Sequence, residues 1–95
     1  MQLGMIGLGK MGANMTTRLM RGGHDLVVYD RSAEAVQTAS DDGARGASSV
    51  ADLVGQLAAP RAVWVMVPSG SSTEETVESL AGLLSPGDIV VDGGN

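Results

Sequence analysis

Ninety-five residues make one small domain, at or below the low end of the ~100–200 residues a domain usually takes. The chain is 43% apolar and 18% charged, which argues against disorder, and its fourteen Gly follow no three-residue register, which excludes collagen. A net charge of −5 argues against phosphate backbones and anionic lipid as partners; zero Cys removes disulfide scaffolds and thiolate chemistry, and a single His argues against a transition-metal site.

Short apolar runs alternate with helical patterns along the chain. Leu3 to Ile6 predicts a first strand. Lys10 to Arg21 predicts a helix, with Met11, Met15 and Leu19 on one face and Met20 beside them, stopped by Gly22-Gly23. Leu26 to Tyr29 is a second strand. Ser32 is an N-cap for a helix through about Ser40, with Glu34 in its first turn. Residues 44–47 form a very short third strand. Ser49 to Asp52 resembles a capping box with Asp in place of Glu, opening a helix that carries Val50, Leu53, Val54 and Leu57 and that Pro60 stops. Ala62 to Val67 is the most strand-like run, and Pro68 follows it. Ser72-x-x-Glu75 caps a helix through Leu84. Pro86-Gly87 is a turn, Ile89 to Val91 a last strand, and Asp92 to Asn95 a loop.

Strands that are apolar on both faces need helices on both sides, as in a buried parallel sheet. Right-handed crossovers then give an α/β, Rossmann-type doubly wound sheet of five strands in the order 3-2-1-4-5. A complete fold of this type has six strands, so the chain is expected to be one dinucleotide-binding domain, residues 1–95, from the N-terminal part of a longer enzyme. The apolar edge at Ile89 to Val91 would be unpaired, which invites a covering partner or self-association. No apolar run reaches the ~18 residues of a membrane span, and the first residues lack a leader's pattern, so a cytoplasmic location is the default expectation. With no Phe, one Trp and one Tyr, there is no stacking platform for single-stranded nucleic acid.

Gly7-Leu8-Gly9-Lys10-Met11-Gly12 has the spacing G-x-G-x-x-G directly between a predicted strand and a predicted helix. In that setting Gly7 allows the turn, Gly9 lets a pyrophosphate approach the backbone, and Gly12 lets helix and strand pack closely. The helix's first N–H groups then face the phosphates; the loop binds through its backbone, so the Lys10 side chain is given no role of its own. A bare glycine turn is the competing reading. Asp30 ends the second strand, close to the ~20 residues beyond the third glycine at which a carboxylate meets the adenosine ribose. The same carboxylate would repel a 2′-phosphate, so NAD is expected over NADP; Arg31 beside it either pairs with such a phosphate, stacks on adenine or reaches solvent. Met66, Val67 and Pro68, after the fourth strand, line the cofactor's expected path, although core filling competes for Met66. Asn95, on the same rim, can donate and accept hydrogen bonds.

Together these residues resemble one family. Gly4 through Met15, Val28-Tyr29-Asp30-Arg31, Trp64 through Pro68 and Asp92-Gly93-Gly94-Asn95 are similar to the N-terminal part of decarboxylating 6-phosphogluconate dehydrogenases, over essentially the whole chain. The wider β-hydroxyacid dehydrogenase superfamily shares the first motif; its hydroxyisobutyrate enzymes usually carry Ser-Thr where Gly94-Asn95 stands here. Asp30 matches the NAD-preferring bacterial branch, and Ser69 departs from that branch's usual Ala.

The resemblance implies oxidation of 6-phosphogluconate at C3 and decarboxylation to ribulose 5-phosphate, with hydride passed to the nicotinamide. It implies that Asn95 contacts substrate and cofactor. It also implies that the Lys general base, the Glu general acid, the Ser-Gly-Gly substrate loop and a helical dimerisation domain lie past residue 95. The chain alone is then expected to bind nucleotide and to catalyse nothing. The alternatives are another β-hydroxyacid dehydrogenase of the superfamily and a non-catalytic NAD(H)-binding module.

Overall fold

The computed structural model of the chain describes residues 2–67, 76 and 78–92. In chain order the elements are β1 (Gln2–Ile6), α1 (Lys10–Arg21), β2 (Asp25–Tyr29), α2 (Ala33–Asp41), β3 (Arg45–Gly46), α3 (Val50–Gln56), β4 (Ala62–Val65) and β5 (Ile89–Asp92). The strands form one sheet in the order β3-β2-β1-β4-β5, and every neighbouring pair is parallel. This is the doubly wound arrangement that the alternating pattern predicts.

The period-two geometry of strands divides the core in two. On one face Ile6, Val27, Val63 and Val65 pack with Leu53 and Val54 of α3, with Leu57 just past its end and with Leu80. On the other, Met5, Leu26 and Val28 pack with Leu8 and Ala44, under Met15, Leu19 and Met20 of α1 and Ala35, Val36 and Ala39 of α2. Consecutive residues of β1 and β2 thus serve opposite layers, which is why their runs are apolar throughout.

The caps follow local chemistry. Ser32 Oγ accepts from Ala35 N–H at 3.2 Å and Ser49 Oγ from Asp52 N–H at 2.9 Å. The reciprocal half of the expected capping box differs: Asp52 Oδ2 accepts from Ser48 N–H at 2.8 Å, one residue before the cap. Past α1, His24 N–H donates to Leu19 O and Gly23 N–H to Met20 O, with Gly23 at φ +90°. β4 is shorter than the apolar run suggests, because Met66 and Val67 lie beyond it, although Met66 N–H still bonds to Ile6 O. The cap expected at Ser72 lies outside the described residues; residues 76 and 78–81 are helical, and the chain leaves the helix at Gly82, before Leu84.

Met11 departs from the expected apolar stripe. It is 68% exposed, and the inward side of the helix there is taken by Gly12 and Thr16.

Candidate functional site

Ile6, Tyr29 and Val65 end three adjacent strands at the carboxyl edge of the sheet. From β1 the chain builds β2 and β3 on one side, then β4 and β5 on the other. The segments after β1 and β4 therefore diverge at this edge, the place where open parallel sheets take ligands.

Backbone contacts fix the rim. Gly7 N–H donates to Tyr29 O at 2.9 Å and Met66 N–H to Ile6 O at 2.7 Å. Gly7 has φ +100°, and a β-carbon on it would stand 2.7 Å from the Met66 carbonyl carbon and 2.9 Å from Val67 N. Both its conformation and its neighbours demand glycine. A β-carbon on Gly12 would land on the Gly7 carbonyl oxygen. Gly9 is different. Its φ of −64° and ψ of −173° suit any residue, and a β-carbon there would meet nothing within 4 Å. The fold makes no demand for glycine at position 9; open space lies in front of it.

Gly9 is also the residue before α1, whose start has no side-chain cap and no acidic residue in its first turn. By contrast, α2 and α3 each begin with a Ser cap and with Glu34 or Asp52 in the first turn. The first N–H groups of a helix have no partner within it, and they carry its positive end. At α1 these groups open onto the space over Gly9, an arrangement suited to an anion.

Asp30, just past β2, completes the rim. Its Oδ2 accepts Leu8 N–H at 2.6 Å and its Oδ1 accepts Ser32 N–H at 2.8 Å. The half-buried carboxylate thus stands between the glycine loop and the start of α2, and it keeps lone pairs for further donors. No sequence pattern signals the bond between Leu8 and Asp30, which joins residues 22 positions apart. The Leu8 side chain is buried in the layer under α1 and α2; Lys10, Met11 and Arg31 are exposed at the rim. Met66 packs in the same layer as Leu8 and Val67 packs against the opposite one, while their shared peptide faces Gly7. One edge therefore collects Gly7, Leu8, Gly9, Lys10, Met11, Gly12, Asp30, Arg31, Met66 and Val67. Pro68 and Asn95 lie outside the described residues.

A cavity of about 320 Å³ lies at the opposite edge of the sheet, between Gln2, His24, Asp25, Asp42 and Arg45. It touches neither the glycine loop nor the carboxyl end of a strand. Among the described residues no three acidic or imidazole side chains are grouped to hold a metal ion, and no helix is long and apolar enough to cross a membrane.

Residues 2–95 match the family model described as the NAD binding domain of 6-phosphogluconate dehydrogenase. The chain is 50% identical over 95 residues to the NAD(+)-dependent, decarboxylating 6-phosphogluconate dehydrogenase of Haloferax volcanii, covering 100% of the chain and 32% of that relative. It is 42% identical over 99 residues to the decarboxylating 6-phosphogluconate dehydrogenase of Synechococcus elongatus, covering 99% of the chain and 21% of the relative. Among solved structures, the 6-phosphogluconate dehydrogenase of Plasmodium falciparum, determined in its apo form, with its cofactor NADP+ and with its substrate 6-phosphogluconate, superposes with a TM-score of 0.89. That match has 27% identity and covers 99% of the chain and 21% of the structure. A glycine loop against an uncapped helix, an acidic residue past the second strand and this likeness along the whole chain agree: the chain belongs to the family of NAD-binding domains of 6-phosphogluconate dehydrogenase.

Proposed function

We propose that the chain is the cofactor-holding part of a decarboxylating 6-phosphogluconate dehydrogenase that prefers NAD to NADP. The observation that carries this reading is the uncapped start of α1 opening onto the empty space over Gly9. The backbone of Gly7 through Gly12 would hold the pyrophosphate, and Asp30 would accept hydrogen bonds from the adenosine ribose. Met66, Val67 and Pro68 would line the path toward the nicotinamide, with Asn95 reaching both cofactor and a phosphorylated sugar acid. The bound dinucleotide supplies the hydride acceptor. The chain spans 32% of the length of the Haloferax volcanii relative and 21% of the Synechococcus elongatus one, so oxidation and decarboxylation are proposed for the longer protein.

The preference for NAD rests on Asp30. Two like unit charges 4 Å apart repel by about 4 kcal/mol at an effective dielectric of 20, before salt screening. The name of the Haloferax volcanii relative supports NAD, and the NADP+ complex of the Plasmodium falciparum enzyme shows that relatives of this fold differ on the point. Calorimetric titration of the chain with NADH and NADPH tests the reading. NADH is expected to bind about tenfold or more tightly, and Asp30→Asn to narrow that gap. Binding of neither dinucleotide at millimolar concentration would overturn the assignment, and equal binding would overturn the preference.

A further inference from the structure

We propose that Asp30 is also the strut that holds the glycine loop in its binding shape before any ligand arrives, so that its carboxylate serves the phosphate end of the site as well as the sugar. The proposal rests on the dinucleotide reading for its ligand and on the chain's own hydrogen bonds for its geometry.

Leu8 lies between the left-handed turn at Gly7 and the open position at Gly9. It is anchored twice. Its side chain is buried in the core, and its N–H donates to Asp30 Oδ2 at 2.6 Å. The other oxygen of the same carboxylate takes Ser32 N–H at 2.8 Å, where α2 begins. One charged group therefore ties the loop after β1 to the loop after β2. Fixing the Leu8 peptide fixes the peptide planes that follow it, and with them the direction of the N–H groups at the start of α1. A loop ordered in advance does not lose that freedom on binding, so its affinity for phosphate is higher.

This geometry separates two roles that a ribose contact alone would merge. An amide offers one acceptor oxygen and one donor nitrogen, whereas two N–H donors face Asp30. Asp30→Asn can satisfy one of them and must turn its NH2 toward the other. It can still exchange hydrogen bonds with a ribose hydroxyl. Loss of the strut is therefore visible with a ligand that has no ribose hydroxyls.

The test uses ADP and 2′,3′-dideoxyadenosine 5′-diphosphate, titrated calorimetrically into the chain and its Asp30→Asn variant. The strut predicts that the variant binds both ligands more weakly, by about tenfold, the equivalent of one charge-assisted hydrogen bond. A loss confined to ADP would overturn the proposal and leave the dinucleotide reading standing. If the unsubstituted chain binds neither nucleotide, the dinucleotide reading falls, and the strut is decided without ligand. In the free 15N,13C-labelled chain, a scalar coupling between the Leu8 amide nitrogen and the Asp30 carboxylate carbon is expected. Its absence would overturn the proposal whether or not the variant folds.

Discussion

Arg61 and Asp88 are joined twice where β4 and β5 begin: Arg61 N–H donates to Oδ1 at 2.5 Å, and the guanidinium Nη1 lies 3.2 Å from Oδ2. Ser85 N–H donates to the same Oδ2 at 2.8 Å, and Arg61 Nε donates to Val54 O at 3.1 Å. One carboxylate thereby links two strand entries and, through Arg61, the end of α3. The Arg61 backbone N–H, then that of Ser85, then the guanidinium, hold the Asp88 carboxyl below the usual carboxylate range.

The sign of the resulting pH dependence is fixed by that direction. The folded chain favours the charged form, so the unfolded chain takes up the proton first as pH falls. Stability from Asp88 is complete above the unfolded value of about 3.9 and is lost as pH drops through the lower folded value. Asp52, held low chiefly by Ser48 N–H, adds to the loss in the same window. Asp88→Asn is expected to lower the thermal midpoint at neutral pH and to flatten its fall below about pH 4, read by circular dichroism melts. An acid limb as steep as that of the unsubstituted chain would contradict this.

Gly9 and Gly12 should separate binding from folding. Gly9→Ala places a methyl group in open space at an ordinary backbone angle, so stability should stay within about 0.5 kcal/mol. The same methyl stands where a pyrophosphate must approach, and NADH affinity should fall at least tenfold. Gly12→Ala drives a β-carbon into the Gly7 carbonyl oxygen and should destabilise the fold by about 1–3 kcal/mol, as overpacking does. Melting curves and titrations on both variants check the contrast; equal loss of stability in the two would refute it.

The features legible in the sequence are those set by local constraint. The G-x-G-x-x-G spacing, the apolar runs of β1 and β2, the start of β4, the Ser caps at 32 and 49 and the turn at Pro86-Gly87 each act within a few residues, and each lies where the pattern puts it. What the sequence does not reveal depends on distant partners. The bond from Leu8 to Asp30 needs β1 and β2 aligned in register, with Ile6 opposite Tyr29. Met11 keeps helical spacing with Met15 yet is exposed, because the small residues Gly12 and Thr16, not the large apolar ones, take the buried side of α1, and size does not enter the periodicity. Asp52 reaches Ser48 rather than the cap itself, a detail below the resolution of a residue pattern.

Gly4 and Leu53 should behave as a coupled pair. A β-carbon on Gly4, in the central strand, would stand 2.8 Å from Leu53 Cδ2, so Gly4→Ala alone crowds the layer beneath α3. Leu53 is fully buried, and Leu53→Ala alone should be destabilising by about 2–5 kcal/mol through the cavity it leaves. In the double variant the added methyl occupies part of that cavity. The combined loss should be smaller than the sum of the single losses by about 0.5–3 kcal/mol, measured by denaturant unfolding. Strict additivity would show that α3 does not rest on Gly4 in this way.

The outer strand β5 should make the chain self-associate. Among the described residues β5 pairs only with β4, leaving the N–H and C=O groups of its other side without a strand. Its side chains add to the hazard: Ile89 is 59%, Val90 36% and Val91 38% exposed, and no charge interrupts the three. Ile89 and Val91 are in register with Ala62 and Trp64, on the sheet face that α1 and α2 cover over β1 and β2. An exposed apolar edge templates pairing with another chain. Opposing this is the net charge of −5, whose repulsion between copies weakens as salt rises. Sedimentation should therefore show association that grows with protein concentration and with ionic strength. Val91→Lys, placing a charge on the edge, should suppress it while leaving the fold's melting midpoint nearly unchanged. A chain that stays monomeric at high concentration and high salt would mean that the edge is shielded.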